Sequence, residues 1–324
     1  KFYSGVLIAL NQAGIVQQWS YKTAIGIGYR CAKLREEHKA IPAGLAFAFW
    51  LARLLVLNNV RKLIGIHRAR FLVTGAAPIS PDLLRWYMAL GVDMIEAWGQ
   101  TETAGGATFN PLGRVRLGSI GIAMPPSEVK VSPEGELLVR GPTMFMGYLN
   151  QPEKTAETLK DGWVHTGDVG RVDADGYFYI TDRMKDIIIT AGGKNITPSE
   201  IENQLKFSPY ITDAVVIGDK RPYLVSLIMI DHENVERYAQ DHAIPFSNFA
   251  SLCRRPEVQE LIQAELDRVN KAFARVEQVK KFRLIEQKLT AEDEELTPTM
   301  TLKRKLVSEK YKNLIESMYM KEAA

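Results

Sequence analysis

Two short apolar runs, Arg70-Phe71-Leu72-Val73 and Val92 to Ala97, each lead straight into a glycine-containing loop. The stretch between them carries a full set of helix-end signals. Ser80-Pro81-Asp82 supplies an N-cap hydroxyl, a proline at the first helical position and an acid in the first turn, and Gly91 is a stop. A strand–helix–strand unit of this kind predicts an α/β fold. Its loops, Thr74-Gly75-Ala76-Ala77-Pro78 and Trp98-Gly99-Gln100-Thr101-Glu102, lie at strand ends, where open α/β sheets bind ligands.

Upstream, to about Ile66, the chain reads as helical and basic. Its most apolar run, Ala43 to Leu57, is broken only by Arg53 and falls short of the about 20 residues that span a bilayer. A buried helix is expected. The competing reading is peripheral membrane contact, with Arg53, Arg61 and Lys62 facing lipid phosphates. From about Asn110 short strands alternate with turns such as Ser132-Pro133-Glu134-Gly135 and Asp173-Ala174-Asp175-Gly176, which predicts a β-rich subdomain. Asp182-Arg183-Met184-Lys185-Asp186 then leads into Ile187-Ile188-Ile189-Thr190. Thr197-Pro198-Ser199-Glu200 reads as a capping box, Ala214–Ile217 and Tyr223–Ile230 as a hairpin, and Glu292–Glu295 as a solvated loop before one last helix. The expected domains are 1–110, 111–182 and 183–324.

A length of 324 residues suits about two domains. Forty-one Lys+Arg against 38 Asp+Glu leave a net charge of +3, which does not point to nucleic acid. Cys31 and Cys253 lie far apart and form no C-x-x-C pair, so a reducing compartment, the cytoplasm, is expected. The opening residues lack the shape of a signal peptide and read as the interior of a longer chain. Nothing in the sequence names an oligomeric state.

Three segments could carry chemistry. Glu96-Ala97-Trp98-Gly99-Gln100-Thr101-Glu102 sets an aromatic, a hydroxyl and a carboxylate at a strand end. The ring could stack on a base, Thr101 could hold a phosphate oxygen and Glu102 could ligate a phosphate-bound Mg2+. In Trp163-Val164-His165-Thr166-Gly167-Asp168, a carboxylate on a tight loop could accept two ribose hydroxyls. The third segment runs from Asp182 to Gly192-Gly193-Lys194 and is not a P-loop, because Ile188 stands where the upstream glycine would be. Taken alone, the first reads more simply as a capped loop with surface polar residues and the second as an Asp-stabilised turn, and the third also reads as a surface salt-bridge cluster.

Their order is more specific. Thr-Gly-Ala-Ala-Pro, Trp-Gly-Gln-Thr-Glu, Gly-Glu-Leu-Leu-Val-Arg-Gly, Thr-Gly-Asp, Asp-Arg-x-Lys-Asp, Gly-Gly-Lys-Asn and a late lysine follow one another along the chain. In this the sequence resembles the adenylate-forming superfamily of acyl-CoA synthetases and luciferases, and more closely its long-chain fatty acyl-CoA synthetase branch. The resemblance implies an ATP-dependent fatty acid–CoA ligase that first makes acyl-AMP and pyrophosphate, then transfers the acyl group to CoA. Its cofactors and co-substrates would be ATP, Mg2+ and CoA.

It also implies residue roles. Gly75, Ala76 and Ala77, with Glu96, Ala97, Trp98, Gly99 and Gln100, would line the adenine pocket, with Trp98 stacking where most members have Tyr. Thr101 would touch phosphate and Glu102 hold the metal. Asp168, assisted by Arg183, would bind the ribose. Lys185 would be a hinge, and Gly192-Gly193 would admit the pantetheine arm of CoA. Lys303 would bridge acyl carboxylate and α-phosphate. Leu302 stands where Gly is usual before that lysine, and Lys305 is the competing candidate. Gly99, where acetyl-CoA synthetases carry Trp, would let an acyl channel continue. The fold implied is an incomplete parallel α/β sheet, a β-rich subdomain and an α+β lid.

The family's Ser/Thr/Gly-rich phosphate loop precedes all of these motifs, and this chain holds no such loop. A truncated, inactive fragment is therefore expected. Ligation of aromatic or medium-chain acids, and a non-catalytic fragment that binds nucleotide or a partner, are the alternatives.

Overall fold

The computed structural model describes residues 2–75, 79–289, 292–296 and 302–320. The chain divides into two compact units, Lys1–Lys185 and Asp186–Ala324.

In the first unit, helices α1 (Phe2–Asn11), α2 (Ile15–Glu36) and α3 (Ala43–Ala52) lead through a π-wound segment, Arg53–Leu57, into α4 (Asn58–Leu63). Strand β1 (Phe71–Thr74), helix α5 (Pro81–Ala89) and strand β2 (Asp93–Trp98) follow. β1 and β2 are parallel, with Phe71 opposite Asp93 and Thr74 opposite Glu96. The α5 ends follow the sequence: the Ser80 hydroxyl accepts from the Asp82 N–H at 3.3 Å, and Gly91 takes a φ of +84° beyond the last turn. Leu84, Trp86 and Leu90 are buried against α2, where the Trp86 indole N–H donates to the Tyr21 hydroxyl at 2.9 Å.

Strands β3 (Thr108–Phe109) and β4 (Ile122–Ala123) extend this sheet antiparallel, in the order β1-β2-β3-β4. The sheet is mixed, with one parallel pair, and it continues beyond residue 110. A second sheet holds β5 (Glu128–Val131), β6 (Glu136–Arg140), β7 (Leu159–Lys160), preceded by α6 (Pro152–Thr158), and β8 (Trp163–Val172). Its order is β5-β6-β8-β7, and β9 (Phe178–Arg183) pairs with β8. Trp98, at the end of β2, is buried with Ala107 among Leu137, Val139, Val164 and Phe178 of the second sheet. That shared core brings the end of β2 to the middle of β8.

The apolar run from Ala43 is not a buried helix. The helical stretch continues to Leu63, 21 residues, long and apolar enough by composition to cross a membrane. Phe49, Ala52 and Leu57 are buried, whereas Phe47, Trp50, Leu54, Leu55 and Leu63 are each more than half exposed. Its arginines do not form a lipid-facing row either. Arg61 is buried and reaches the carbonyls of His67 and Ala69, and Arg53 lies against Gly91.

The second unit is built on one three-stranded sheet. A hairpin of β10 (Ile188–Ile189) and β11 (Asn195–Ile196) precedes α7 (Pro198–Lys206). Then come β12 (Ile211–Ile217), β13 (Leu224–Ile230), α8 (His232–Asp241), α9 (Phe249–Cys253), α10 (Pro256–Asn270), β14 (Val279–Leu284), α11 (Arg304–Lys310) and α12 (Lys312–Tyr319). β13 is central, antiparallel to β12 and parallel to β14. Every residue of β13 is buried. Leu224, Ile228 and Ile230 pack toward α7, α8 and α10, whereas Val225, Leu227 and Met229 pack toward α11 and α12.

Three local expectations change. Thr197 precedes α7, but its side chain makes no capping bond. The final helix is two helices. Glu295, at the end of the acidic run, is buried and paired with Lys310 instead of solvated. Cys31 and Cys253 are both buried and unpaired.

Candidate functional site

Asp168 is the centre of the polar cluster in the first unit. It lies in β8, not in a loop, but in an irregular part of the strand. Glu136 faces Val169 and Leu138 faces His165, so Thr166, Gly167 and Asp168 all oppose Leu137 alone. Such a bulge re-aims a side chain. Gly167 adopts a φ of +70°, which suits glycine. The bulge is pinned by Glu136: its carboxylate accepts the Gly167 N–H at 2.8 Å and contacts His165 Nδ1 at 2.8 Å. The Thr166 hydroxyl donates to the Leu137 carbonyl at 2.6 Å and accepts the Asp168 N–H at 3.1 Å.

Three donors converge on the buried Asp168 carboxylate. Oδ2 accepts the Trp98 indole N–H at 2.9 Å and the Gln100 amide at 3.1 Å. Arg183 Nε lies 2.8 Å from Oδ1, directly across the β8–β9 ladder. Gln100 also donates to the Thr166 carbonyl at 2.9 Å. The structure thus joins Trp98, Gln100, Asp168 and Arg183. It places the Trp98 ring in the core, 8% exposed, with its N–H rather than its face turned to the polar cluster.

The loop after β2 is folded tightly on itself. Thr101–Thr103 make one 3-10 turn, and the Thr103 hydroxyl accepts the Gln100 N–H at 2.9 Å. A Cβ on Gly99 would lie 2.6 Å from the Gly105 carbonyl oxygen and 2.8 Å from Gly106 Cα. Glycine is therefore needed there for close backbone approach. Gly75 is similar, since a Cβ would lie 2.9 Å from the Ala97 carbonyl oxygen. Ala76 and Ala77 lie outside the described residues. Thr101 is exposed.

Glu102 is partly buried, and the Tyr148 hydroxyl donates to its Oε1. That bond pushes the phenol's pKa up. Tyr148 itself packs edge-on to Phe145 at 4.8 Å. A lone carboxylate suits Mg2+ that takes its remaining ligands from water and phosphate. Among the described residues no group of three or more His, Cys, Asp or Glu is arranged to hold a metal. Glu102 therefore fits Mg2+ only as one ligand among water and phosphate oxygens.

Glu96 is different. Its buried carboxylate accepts the Gly118 N–H at 3.1 Å, and desolvation pushes its pKa up to about 8 despite that bond. The side chain is thus committed to the Gly118 turn.

In the second unit, Lys303 is the N-cap of α11 and is exposed, with Nζ donating to the Glu294 carbonyl at 2.9 Å. Its neighbours are anchored. Leu302 is buried among Val215, Leu227, Met229 and Val307, and its N–H donates to Asp213 Oδ2 at 2.7 Å. Leucine here fills a core that glycine would leave hollow. Lys305 is exposed, one residue into α11 beyond Arg304. Gly192-Gly193 forms the exposed β10–β11 turn, with Gly193 at a φ of +75° and its N–H donating to the Thr190 carbonyl at 2.8 Å. Lys185 is the last residue of the first unit and lies in a short 3-10 turn, Met184–Asp186.

Residues 32–149 match the family model described as AMP-binding enzyme, and residues 185–323 match its C-terminal domain. The chain belongs to the AMP-binding enzyme family. Within it, the chain is 38% identical over 269 residues to the long-chain-fatty-acid–CoA ligase FadD15 of Mycobacterium bovis, covering 83% of this chain and 45% of that protein. It is 36% identical over 321 residues to the long-chain-fatty-acid–CoA ligase ACSBG2 of Gallus gallus, covering 91% of this chain and 42% of that protein. The chain therefore spans less than half the length of these relatives. The fold matches the adenylation domain of a carboxylate reductase from Mycobacterium chelonae, with a TM-score of 0.64 and 23% identity, over 91% of this chain and 45% of that one.

Sequence reasoning missed the residues that hold these motifs in place: Glu136 and Thr166 at the bulge, Tyr148 on Glu102, Asp213 on Leu302. Tyr148 and Asp213 carry no local signal. Glu136, in the Gly-Glu-Leu-Leu-Val-Arg-Gly phrase, was visible as a strand start but not as a partner of Gly167.

Two outcomes follow. The Glu96 pKa is raised above its ordinary 4.5, so the protonated form is the one folding favours. Wild-type protein should therefore lose stability relative to Glu96→Gln as pH rises from about 4.5 to about 8, which urea midpoints measured across that range will show. Gly99→Ala should cost about 1–3 kcal/mol by overpacking against backbone. The measurement is the shift in urea midpoint between wild type and Gly99→Ala.

Proposed function

We propose that this chain forms the nucleotide-binding strand ends and the C-terminal lid of an ATP-dependent fatty acid–CoA ligase. The observation that carries this reading is the Asp168 carboxylate, held between Trp98, Gln100 and Arg183 at the ends of family motifs. The fatty-acid substrate is supported by the names of the relatives, since Gly99 is accounted for by its backbone contacts. Buried, unpaired cysteines suit a cytoplasmic setting.

The reaction has two halves. The fatty acid carboxylate attacks the α-phosphate of ATP, expelling pyrophosphate, and the CoA thiol then attacks the acyl carbon, expelling AMP. Both steps need positive charge and positioning, without a covalent enzyme nucleophile. In this reading Asp168 accepts the ribose hydroxyls. A carboxylate offers about four acceptor positions, and three are occupied here. Two hydroxyls need one more position than remains, so one present donor gives way. Arg183, with a side chain 53% exposed, is the one able to swing into solvent. The Trp98 N–H and Gln100 amide stay and fix the carboxylate plane.

Thr101 hydrogen-bonds a phosphate oxygen. Glu102, with Tyr148 on one oxygen, would hold Mg2+ through the other, and the cation would supply charge neutralisation at phosphate. Gly75 and Ala97 set the backbone floor of the adenine site. Lys303 brings its ammonium to the acyl carboxylate and α-phosphate, and the Gly192-Gly193 turn gives CoA a path free of side chains. Lys185, where the two units divide, is the hinge between the halves of the reaction.

Acyl-AMP and acyl-CoA formation by the whole protein, with a fatty-acid series, tests the assignment. No acid-dependent pyrophosphate release would refute it. Lys303→Ala should slow acyl-AMP formation roughly 10²–10³-fold while leaving thioester formation from supplied acyl-AMP intact. Lys185→Pro, by fixing φ at the hinge, should do the reverse. Equal loss of both half-reactions in both variants would refute the division of labour.

A further inference from the structure

Lys303 is flanked by two residues whose side chains point into the second unit, and the one that follows it has no role so far. The Arg304 guanidinium is wrapped by that unit. Nη2 lies 2.7 Å from Glu202 Oε1, and Nη1 donates to the Val216 carbonyl at 2.5 Å. Nε is buried with no hydrogen bond of its own and faces Asp186 Oδ1 at 3.7 Å. Glu202 is itself buried on α7 and also accepts the Val216 N–H at 2.7 Å. Asp186 is the first residue of the second unit, immediately after Lys185. One side chain therefore connects the start of the unit, the first turns of α7, the β12 strand and the N-terminus of α11.

We propose that Arg304 is a positioning residue that locks the backbone of Lys303 and couples it, through Asp186, to the hinge. The proposal rests on the ligase reading, in which Lys303 serves adenylation. The physical basis is that a planar guanidinium with two directed bonds fixes orientation as well as charge. Lys303 cannot shift along α11 without pulling Arg304 from Glu202 and Val216. Asp186, with a side chain 28% exposed and bound to Arg304 by charge alone, is the soft contact. Asp186 adjoins Lys185, so the backbone next to the hinge and the backbone of Lys303 are held to one guanidinium and move together when Lys185 rotates.

The test uses the whole protein and the variants Asp186→Asn, Arg304→Gln, Arg304→Lys and the double Asp186→Asn/Arg304→Gln. Asp186→Asn keeps shape and leaves the buried Glu202 pair untouched, so it remains informative where Arg304→Gln unfolds. The expected result for Asp186→Asn is a roughly tenfold slower acyl-AMP formation, corresponding to about 1.4 kcal/mol, with thioester formation from supplied acyl-AMP within about twofold of wild type. In the Arg304→Gln background the same change should have no further effect, and Arg304→Lys should restore only part of the rate. Amide hydrogen exchange, read independently of activity, should accelerate at Leu302 and Lys303 in Arg304→Gln while β13 stays protected. Equal loss of both half-reactions, additive effects of the two substitutions, or unchanged exchange at Leu302 and Lys303 would each overturn the proposal. A wild-type protein that makes no acyl-AMP refutes the ligase reading instead, and the exchange measurement then still decides whether Arg304 holds Lys303.

Discussion

Asp168 is nearly out of water, and donors from three separate segments meet on its carboxylate: the end of β2, the loop after it and the end of β9. Removing one hydrogen-bond donor from a buried charge typically costs about 1.5–3 kcal/mol. The Arg183 contact is worth less, because that side chain is half in solvent. The two inner donors matter most, and both belong to the Trp98–Gln100 stretch. The candidate nucleotide site is thus organised from beneath, by contacts that join the first sheet to the second.

The bulge in β8 is what makes this possible. A regular strand would alternate side chains on two faces, and Thr166, Gly167 and Asp168 could not all address one opposing residue. Glu136 serves the bulge with both carboxylate oxygens, one on the Gly167 N–H and one on His165. The geometry of the Asp168 carboxylate is therefore set by a second carboxylate that faces the strand.

Much of this was legible in the sequence. The strand–helix–strand unit, the α5 caps and the β12–β13 hairpin follow from local chemistry, since each signal is carried by residues close together, whereas the order of the motifs is informative only through the family resemblance. What was not legible depends on partners far apart in the chain. Thr-Gly-Asp reads as a turn until Leu137 is opposite it. Trp98 reads as a stacking surface until Val139 and Val164 enclose its ring. Leu302 reads as a departure from glycine until the core around Val307 is seen to need it. The stretch after Ala43 was misjudged because apolar composition gives no indication of which faces are covered.

The two units also finish their surfaces differently. β13 buries both of its faces inside the second unit, and among the described residues only Ile189, Val276 and Met320 there are large apolar side chains left open. The first unit leaves Phe47, Trp50, Leu54 and Leu55 bare on one helical stretch, with Ile15, Val16 and Trp19 open on α2. Exposed apolar side chains gathered on one stretch, such as the stacked Phe47 and Trp50, favour association in water. Self-association of this chain in water should therefore begin at the helical stretch of the first unit rather than at the sheet of the second.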